Sequence, residues 1–287
     1  MKDSTAAFAV HAIGDRVGVA VRAKILNEGD GGCCELTPLD LHPNEGFAVQ
    51  FRLGWRSVEA VFVPGSFSGQ LIARMGECDI EARQTFGAFA TALLARKVKV
   101  LMRVNGSETD PLAADAWPAQ WSKVELGLKQ TPIVVEPEND AQHERLVIDL
   151  VVPIFGMAVA LIGAEENELS TTGELEGRAI QTIATRYERK RLNREACIQL
   201  KGSRCVVCGF DFAQTYGPLG IDYIEVHHLK SVASIGADYF IDVAADLAPV
   251  CSNCHAMAHR EEPPVPLERL RELVEERRRA QQAELEL

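Results

Sequence analysis

Apolar residues in the first 165 positions follow two periods, one typical of strands and one typical of a helix. Runs that alternate or stay apolar, rich in Val and Phe, predict β-strands at 16–26, 47–63, 122–128, 132–135 and 146–162. Within 80–96 the apolar residues recur at helical spacing, which predicts an amphipathic helix. The alternating run 98–104 ends at Asn105-Gly106, a dipeptide typical of hairpin turns, and predicts another strand. The predicted fold class is α+β, with an N-terminal domain that mixes helices and strands.

The longest apolar stretch, Leu146 to Ala164, raises the question of a membrane span. It carries Asp149 and Pro153, and its uninterrupted apolar part is shorter than the ~20 residues that cross a bilayer as a helix. We therefore expect two buried strands joined at the sequence PIFG, and no membrane partner.

A change of composition divides the chain. In the sequence GAEENELSTTGELEG, apolar character stops and acidic, Gly and Thr residues take over. The predicted limits are 1–165 for an N-terminal domain, 166–177 for a linker and 178–287 for a C-terminal domain. We expect the C-terminal domain to begin with a basic helix over 178–200. It should end with a helix that starts at Pro266, packs through its leucines and frays over its last residues.

The composition is that of a globular protein with unusual cysteine usage. The chain has 287 residues, 47% hydrophobic and 25% charged, enough for two domains of ordinary size. The opening sequence MKDSTAAFAVHAIGDR lacks the sustained apolar core of a secretory signal, so we expect a cytoplasmic protein. Eight cysteines in such a chain point to metal or redox chemistry where they form C-x-x-C pairs. The unpaired ones, expected to be packing residues, are Cys33, Cys34, Cys78 and Cys197.

The formal net charge of −11 argues against a nucleic-acid footprint over the whole surface. The segment 186–204 is the exception, because its seven basic and two acidic residues give a local charge of +5. Such a run is usually a solvated helix face, but its position directly before a cysteine pair gives a phosphate-binding patch equal weight. The candidate DNA-binding residues are Arg186, Arg189, Lys190, Arg191 and Arg194 of this segment, together with Lys230.

Two C-x-x-C pairs supply the ligands of a tetrahedral zinc site. Each pair can fold as a tight knuckle that presents two thiolates to one ion, and the four candidates are Cys205, Cys208, Cys251 and Cys254. A thioredoxin-like redox site would need a βαβ pattern that the sequence lacks, and it would leave the second pair unexplained. We therefore expect a structural Zn²⁺.

Four of the seven histidines lie close to these cysteines in the sequence. His255 and His259 are four residues apart, so on a helix both imidazoles project from one face and can share an ion. His227 and His228 follow an alternating run, where neighbouring side chains point to opposite faces of a strand. A single zinc finger built from CSNCHAMAH is the simpler alternative, but it leaves the other cysteine pair and the double histidine without a role. Two metal sites account for more of the residues.

The C-terminal part of the sequence resembles the HNH nucleases, and most closely the branch of McrA-like modified-cytosine restriction nucleases. The resemblance covers about 174–270 and is carried by YERKRLNREACIQLKGSRCVVCGFDF, YGPLGIDYIEVHHLKSV and DLAPVCSNCHAMAHR. It implies a C-terminal ββα-metal module with the Cys₄ zinc site described above. It also implies a catalytic divalent cation, Mg²⁺, Mn²⁺ or Ni²⁺, held by His227, His255 and His259.

The remaining roles that the resemblance implies are catalytic. His228 would be the general base, because an imidazole outside the metal site has a pKa near neutrality and can take a proton from water. Asp246 occupies the position that is often Asn in the family, where the residue braces the loop of the base. Glu225 would orient the metal-binding groups, although an exposed strand residue fits the sequence equally well.

The sequence thus predicts a metal-dependent DNA endonuclease, for which we expect a role in restriction or phage defence, with modified DNA as a candidate substrate. A zinc-stabilised DNA-binding module without catalysis and an RNA-directed nuclease are the alternatives. A homodimer would explain double-strand cleavage, since one HNH site cuts one strand at a time. No family is recognisable in 1–165, which we expect to select the target or to regulate the nuclease.

Overall fold

The computed structural model describes residues 1–28, 31–165, 187–230 and 240–285. Its internal contacts divide the chain into an N-terminal unit, Met1–Glu195, and a C-terminal unit, Ala196–Leu287. The predicted linker, 166–177, lies outside the described residues, so the predicted domain limits stay a prediction.

The N-terminal unit combines one antiparallel sheet with helices that supply its core. Among the described residues seven strands pair in the order β1-β2-β3-β4-β7-β5-β6. They are β1 (Val21–Glu28), β2 (Gly31–Pro38), β3 (Phe47–Leu53), β4 (Val58–Pro64), β5 (Lys99–Val104), β6 (Ser107–Glu108) and β7 (Val124–Gln130). The helices are α1 (Asp3–Arg16), α2 (Gly69–Gly76), α3 (Ile80–Ala95), α4 (Asp140–Leu146) and α5 (Val152–Ile162), with a π-helical stretch at Val147–Val151. The short strands β8 (Ala164–Glu165) and β9 (Tyr187–Glu188) pair in parallel.

Several predicted elements of this unit are confirmed. The helix expected over 80–96 is α3, whose N-cap Asp79 accepts a hydrogen bond from the Ala82 amide at 2.7 Å. The strand before Asn105-Gly106 is β5, and both turn residues have positive φ, 52° and 84°, as a tight hairpin turn requires. The run 47–63 forms β3 and β4 with a turn between them. The mixed α+β class is thereby confirmed.

The prediction of two strands in 146–162 is wrong. These residues continue α4 through the π-helical stretch into α5, where every residue from Val152 to Ile162 is buried. A segment that is apolar on all sides shows no period, and a helix buries it while pairing its own backbone groups. The helix Asp140–Ile162 is long and apolar enough to cross a membrane by length and composition, but 89% of its apolar window is buried inside the protein.

Two smaller predictions also fail. The strand expected at 16–26 begins only at Val21, because the preceding α1 runs to Arg16. Residues 132–135 form no strand: the Gln142 side chain, and not a neighbouring strand, accepts from the Glu136 amide and donates to the Val134 carbonyl, each at 2.8 Å. Here hydrogen bonds from a side chain take the place of the strand-to-strand backbone hydrogen bonds that the apolar pattern predicted.

The C-terminal unit is a small hairpin-and-helix domain. The helix α6 (Arg189–Lys201) begins in the N-terminal unit and ends in this one. The other elements are α7 (Phe212–Tyr216), β10 (Glu225–His228), α8 (Val243–Asp246), β11 (Leu247–Val250), α9 (Ser252–Ala258) and α10 (Leu267–Leu285). A buried cluster that includes Ile224, Val250 and Ala258 holds β10, β11 and α9 together. The predicted C-terminal helix is confirmed as α10, but the expected fraying is wrong, since the helix continues to Leu285.

Candidate metal centres

The first cysteine pair lies on a tight knuckle that the backbone itself closes. The Cys205 amide donates to the Phe210 carbonyl and the Gly209 amide donates to the Cys205 carbonyl, each at 2.9 Å. Gly209 has φ of 73°, a left-handed conformation that glycine adopts at no steric cost and that turns the chain back after Cys208. Both thiols are thereby directed to one point.

The second cysteine pair sits at the start of α9. Cys251 is the N-cap residue of this helix, and Cys254 lies in its first turn. The knuckle is attached to the same region, because the Val206 amide donates to the Pro249 carbonyl at 3.0 Å. The four Sγ atoms lie within 4.8 Å of one another, and those of Cys208 and Cys251 are 3.6 Å apart. These atoms therefore form the closed four-sulfur set that a structural zinc ion takes.

The ionisation of these thiols fits a cation at their centre. Burial raises the pKa of Cys205, but backbone amides, those of Cys208 and Cys251 first, outweigh it and lower this pKa to about 7. Burial, and then hydrogen bonds to the Cys208 and Cys251 thiols, raises the pKa of Cys254 well above the usual thiol range. Four thiolates do not coexist in this space by themselves, and a divalent ion is the chemistry that lets them do so.

A second cluster consists of three histidines from β10 and α9. Ligand nitrogens of His227, His255 and His259 lie within 4.8 Å of one another, and the ring centroids are 5.0 to 5.2 Å apart. β10 pairs with β11, which leads directly into α9, so the hairpin brings His227 opposite the two helical residues. His259 is the C-cap residue of α9, which keeps the four-residue spacing that puts both rings on one face.

The environment of His227 favours a neutral ring that can bind a cation. The residue is only 4% exposed, and its buried Nδ1 has no hydrogen-bond partner among the described residues. Burial, followed by the neighbouring histidines, lowers the pKa of His227 to about 4. His227 thus offers a neutral imidazole with an unsatisfied nitrogen. Together with the two neighbouring imidazoles it forms a donor set that suits a transition-metal ion or another divalent cation.

Glu225 fixes the orientation of His255. The Oε2 atom of Glu225 lies 2.5 Å from Nδ1 of His255, so Nδ1 is engaged and Nε2 is the nitrogen left for a cation. A carboxylate that holds the far nitrogen of a histidine is a common partner in metal sites, where it fixes the tautomer and the ring angle. The Glu225 side chain is 35% exposed on β10 and is engaged with His255, so its role in the metal site stays a prediction.

His228 lies next to this cluster but is not a member of it. It is half-buried at the end of β10, while the preceding His227 faces the cluster. The chain after it is held by Asp246, whose carbonyl accepts from the Leu229 amide at 2.8 Å. The Asp246 side chain is buried, and its Oδ2 accepts from the Asp242 amide at 2.9 Å.

The predicted phosphate-binding residues show varied environments. Arg186 lies outside the described residues, and Arg189 begins α6. Lys190 is exposed, Arg194 is half-buried, and exposed Arg191 donates to the Gly14 carbonyl at 3.2 Å. Lys230 lies 2.9 Å from the Asp246 carboxylate. The last basic residue of α6, Lys201, donates to the Ala244 and Leu247 carbonyls and so holds the junction of α8 and β11, a role without any sequence signal.

The support of the cysteine knuckle by side chains of α10 was not predictable from the sequence. On α10, Arg271 donates to the Val206 carbonyl at 3.0 Å and Arg278 donates to the Cys208 carbonyl at 2.7 Å. The arginine-rich sequence ERRRA contains Arg278 but does not distinguish it from the neighbouring arginines, and Arg271 lies outside this run.

The helix α9 serves both centres. Cys254 and His255 are adjacent, so their side chains leave the helix about 100° apart, one toward the sulfur cluster and the other toward the histidines. A two-stranded hairpin, a short helix, an open histidine cluster and a closed cysteine cluster together define a ββα-metal module.

Residues 205–261 match the family model described as HNH endonuclease. No curated protein matches the chain significantly.

Proposed function

We propose that the protein is a metal-dependent endonuclease that hydrolyses DNA phosphodiester bonds in its C-terminal unit. The family match supports a nuclease, and the separation of the ligands into two clusters carries the proposal. A module that only binds nucleic acid needs the four cysteines for its fold, but it has no use for three converging histidines beside a fourth. The assignment to the McrA-like branch, and with it a role in restriction or phage defence on modified DNA, has the sequence resemblance as its only support.

Each residue of the histidine region has a defined role in this proposal. His227, His255 and His259 hold a divalent cation, which supplies positive charge for the phosphoryl and leaving oxygens. His228 takes the proton of the attacking water, because its neighbour His227 faces the cation and leaves it outside the ligand set. Glu225 keeps His255 in its ligand orientation, and Asp246 holds the chain that follows the base. The cysteines bind zinc and maintain the fold around these groups.

DNA would be bound by basic side chains and selected by the N-terminal unit. Exposed Lys190 is available to contact phosphates, whereas Arg191 also holds a backbone carbonyl. A homodimer would pair two such sites for double-strand cleavage. In this proposal the protein acts in the cytoplasm, and its substrate is DNA.

A cleavage panel with the purified chain tests the proposal. The substrates are unmodified, 5-methylcytosine, hydroxymethylcytosine and phosphorothioate DNA, with RNA of the same sequence as the comparison. Each is incubated with Mg²⁺, Mn²⁺ or Ni²⁺ and with a chelator in excess of the added metal. We expect metal-dependent cleavage of at least one DNA. Cleavage of RNA alone would favour the RNA-directed alternative, and tight binding without cleavage would favour the non-catalytic module.

A further inference from the structure

The buried Asp246 carboxylate and the Lys230 ammonium lie 2.9 Å apart directly beyond His228. The Asp246 side chain is 3% exposed, whereas that of Lys230 is 55% exposed, so the lysine reaches inward from the surface to a charge in the protein interior. A carboxylate buried without a cationic partner costs several kcal/mol or takes up a proton. Lys230 therefore offsets part of the cost of burying this charge.

Asp246 is bonded both to its own segment, through Asp242, and to the segment that follows His228, through Leu229 and Lys230. Its carbonyl accepts from the Leu229 amide, its amide donates to the Asp242 carbonyl, and its Oδ2 accepts from the Asp242 amide. The Asp242 side chain in turn caps α8 by accepting from the Ala244 and Ala245 amides. The remaining side-chain oxygen of Asp246, Oδ1, is the atom that faces Lys230.

We infer that Lys230 is a positioning residue for His228, acting as the counter-ion of Asp246, rather than a contact to the DNA phosphates. Lys230 and His228 are two residues apart on the same short segment, and the Leu229 amide between them is bonded to Asp246. The ion pair and this hydrogen bond thus fix the segment on both sides of Leu229, and with it the direction of the His228 ring. The inference rests on the proposed function, in which His228 is the base.

The chemistry of the pair predicts a reciprocal rescue. In Lys230→Gln the carboxylate keeps its charge and loses its counter-ion. In Asp246→Asn the amide oxygen must face the Asp242 amide, which places the amide nitrogen against the Lys230 ammonium, donor against donor. Combining the two substitutions gives a neutral amide pair in which the glutamine oxygen accepts from the asparagine nitrogen. Two changes that each harm the site should therefore harm it less together.

A double-mutant cycle on the full chain tests this, with cleavage rate at saturating DNA and metal, DNA affinity, zinc content and melting temperature measured for each variant. We expect Lys230→Gln to lower the cleavage rate by about ten- to hundred-fold, the range for misplacing a catalytic group. DNA affinity and its salt dependence should stay at the parent values. The combined variant should recover most of the lost rate, with one zinc retained per chain. Lys99→Gln, which removes an exposed lysine from the N-terminal unit, is the matched control.

The opposite results are equally clear. If Lys230 contacts phosphate, Lys230→Gln weakens DNA binding, lowers the salt slope by about one charge and gains nothing from Asp246→Asn. Additive rate losses would also overturn the inference. Should the parent protein cut no nucleic acid, the proposed function fails, and the melting temperatures still decide the pair: a non-additive cycle supports the ion pair, and an additive one refutes it.

Discussion

At the scale of single residues, the site depends on which ring nitrogen of each histidine is engaged. Glu225 engages Nδ1 of His255 and so holds the orientation of that ring, and burial lowers the pKa of His227 to about 4, so the His227 ring is neutral before any cation arrives. Spacing in the sequence predicted the four-cysteine set and the pairing of His255 with His259, whereas the choice of His227 over His228 as their companion came from the resemblance to the HNH nucleases. The pairing of Lys230 with Asp246 was not predictable, because it depends on how two loops approach each other, and no spacing rule relates positions 230 and 246.

Removing the Glu225 carboxylate tests this orientation. In Glu225→Ala, His255 is free to rotate, so we expect the cation concentration for half-maximal cleavage to rise by about 10- to 100-fold. Glu225→Gln, which can still accept a hydrogen bond, should show a smaller rise. The zinc content should stay at one ion per chain in both variants. An unchanged metal requirement in Glu225→Ala would remove Glu225 from the metal site.

At the scale of elements, short helices and turns of the C-terminal unit are fixed by contacts from elsewhere in the chain. The helix α9 has seven residues, too few to be stable alone, and it is held by β11, by the cysteine cluster and by the buried Ala258. The α10 arginines bind carbonyls of the knuckle, so this helix is part of the zinc site's support. The leucine spacing predicted α10, but nothing in the sequence indicated which backbone carbonyls its arginines bind.

The α10 contacts predict a selective loss of stability. Replacing Arg271 and Arg278 with Met removes two hydrogen bonds to the knuckle, each worth about 1 kcal/mol. We expect a melting temperature lower by several degrees and faster loss of zinc to a chelator. Replacing the neighbouring Arg277 with Met is the control and should change neither quantity. Equal effects in the two variants would mean that the arginines act through general charge and not through the knuckle carbonyls.

At the scale of the whole molecule, the chain divides into a large α+β unit and a small metal-binding unit, with α6 belonging to both. Its first half is anchored in the N-terminal unit: buried Asn193 donates to Glu81 and accepts from Thr85, and buried Glu195 pairs with Arg16. The sequence predicted a basic helix before the cysteines from charge alone. It could not show that polar residues on that helix serve as buried anchors, since Asn and Glu in a charged run are equally typical of a solvated face.

This division predicts where the chemistry lies. A chain that begins at Gly177 keeps α6 and both metal clusters, so we expect metal-dependent nicking with reduced target selectivity. It should also melt at a lower temperature, because Asn193 and Glu195 lose their partners. Cleavage of DNA by residues 1–165 alone would show that the catalytic groups have been placed in the wrong unit.

The separation of a structural zinc from a catalytic cation is tested most directly by cleavage with His228→Ala at matched zinc content. His228 is outside both ligand clusters, so the variant should fold, carry one zinc per chain and bind DNA as the parent does. Its cleavage rate should fall by roughly 10²- to 10⁴-fold, the usual cost of losing a general base. A zinc-loaded His228→Ala that cuts DNA at the parent rate would contradict the assignment of His228 as the base and leave the histidine cluster without its proposed chemistry.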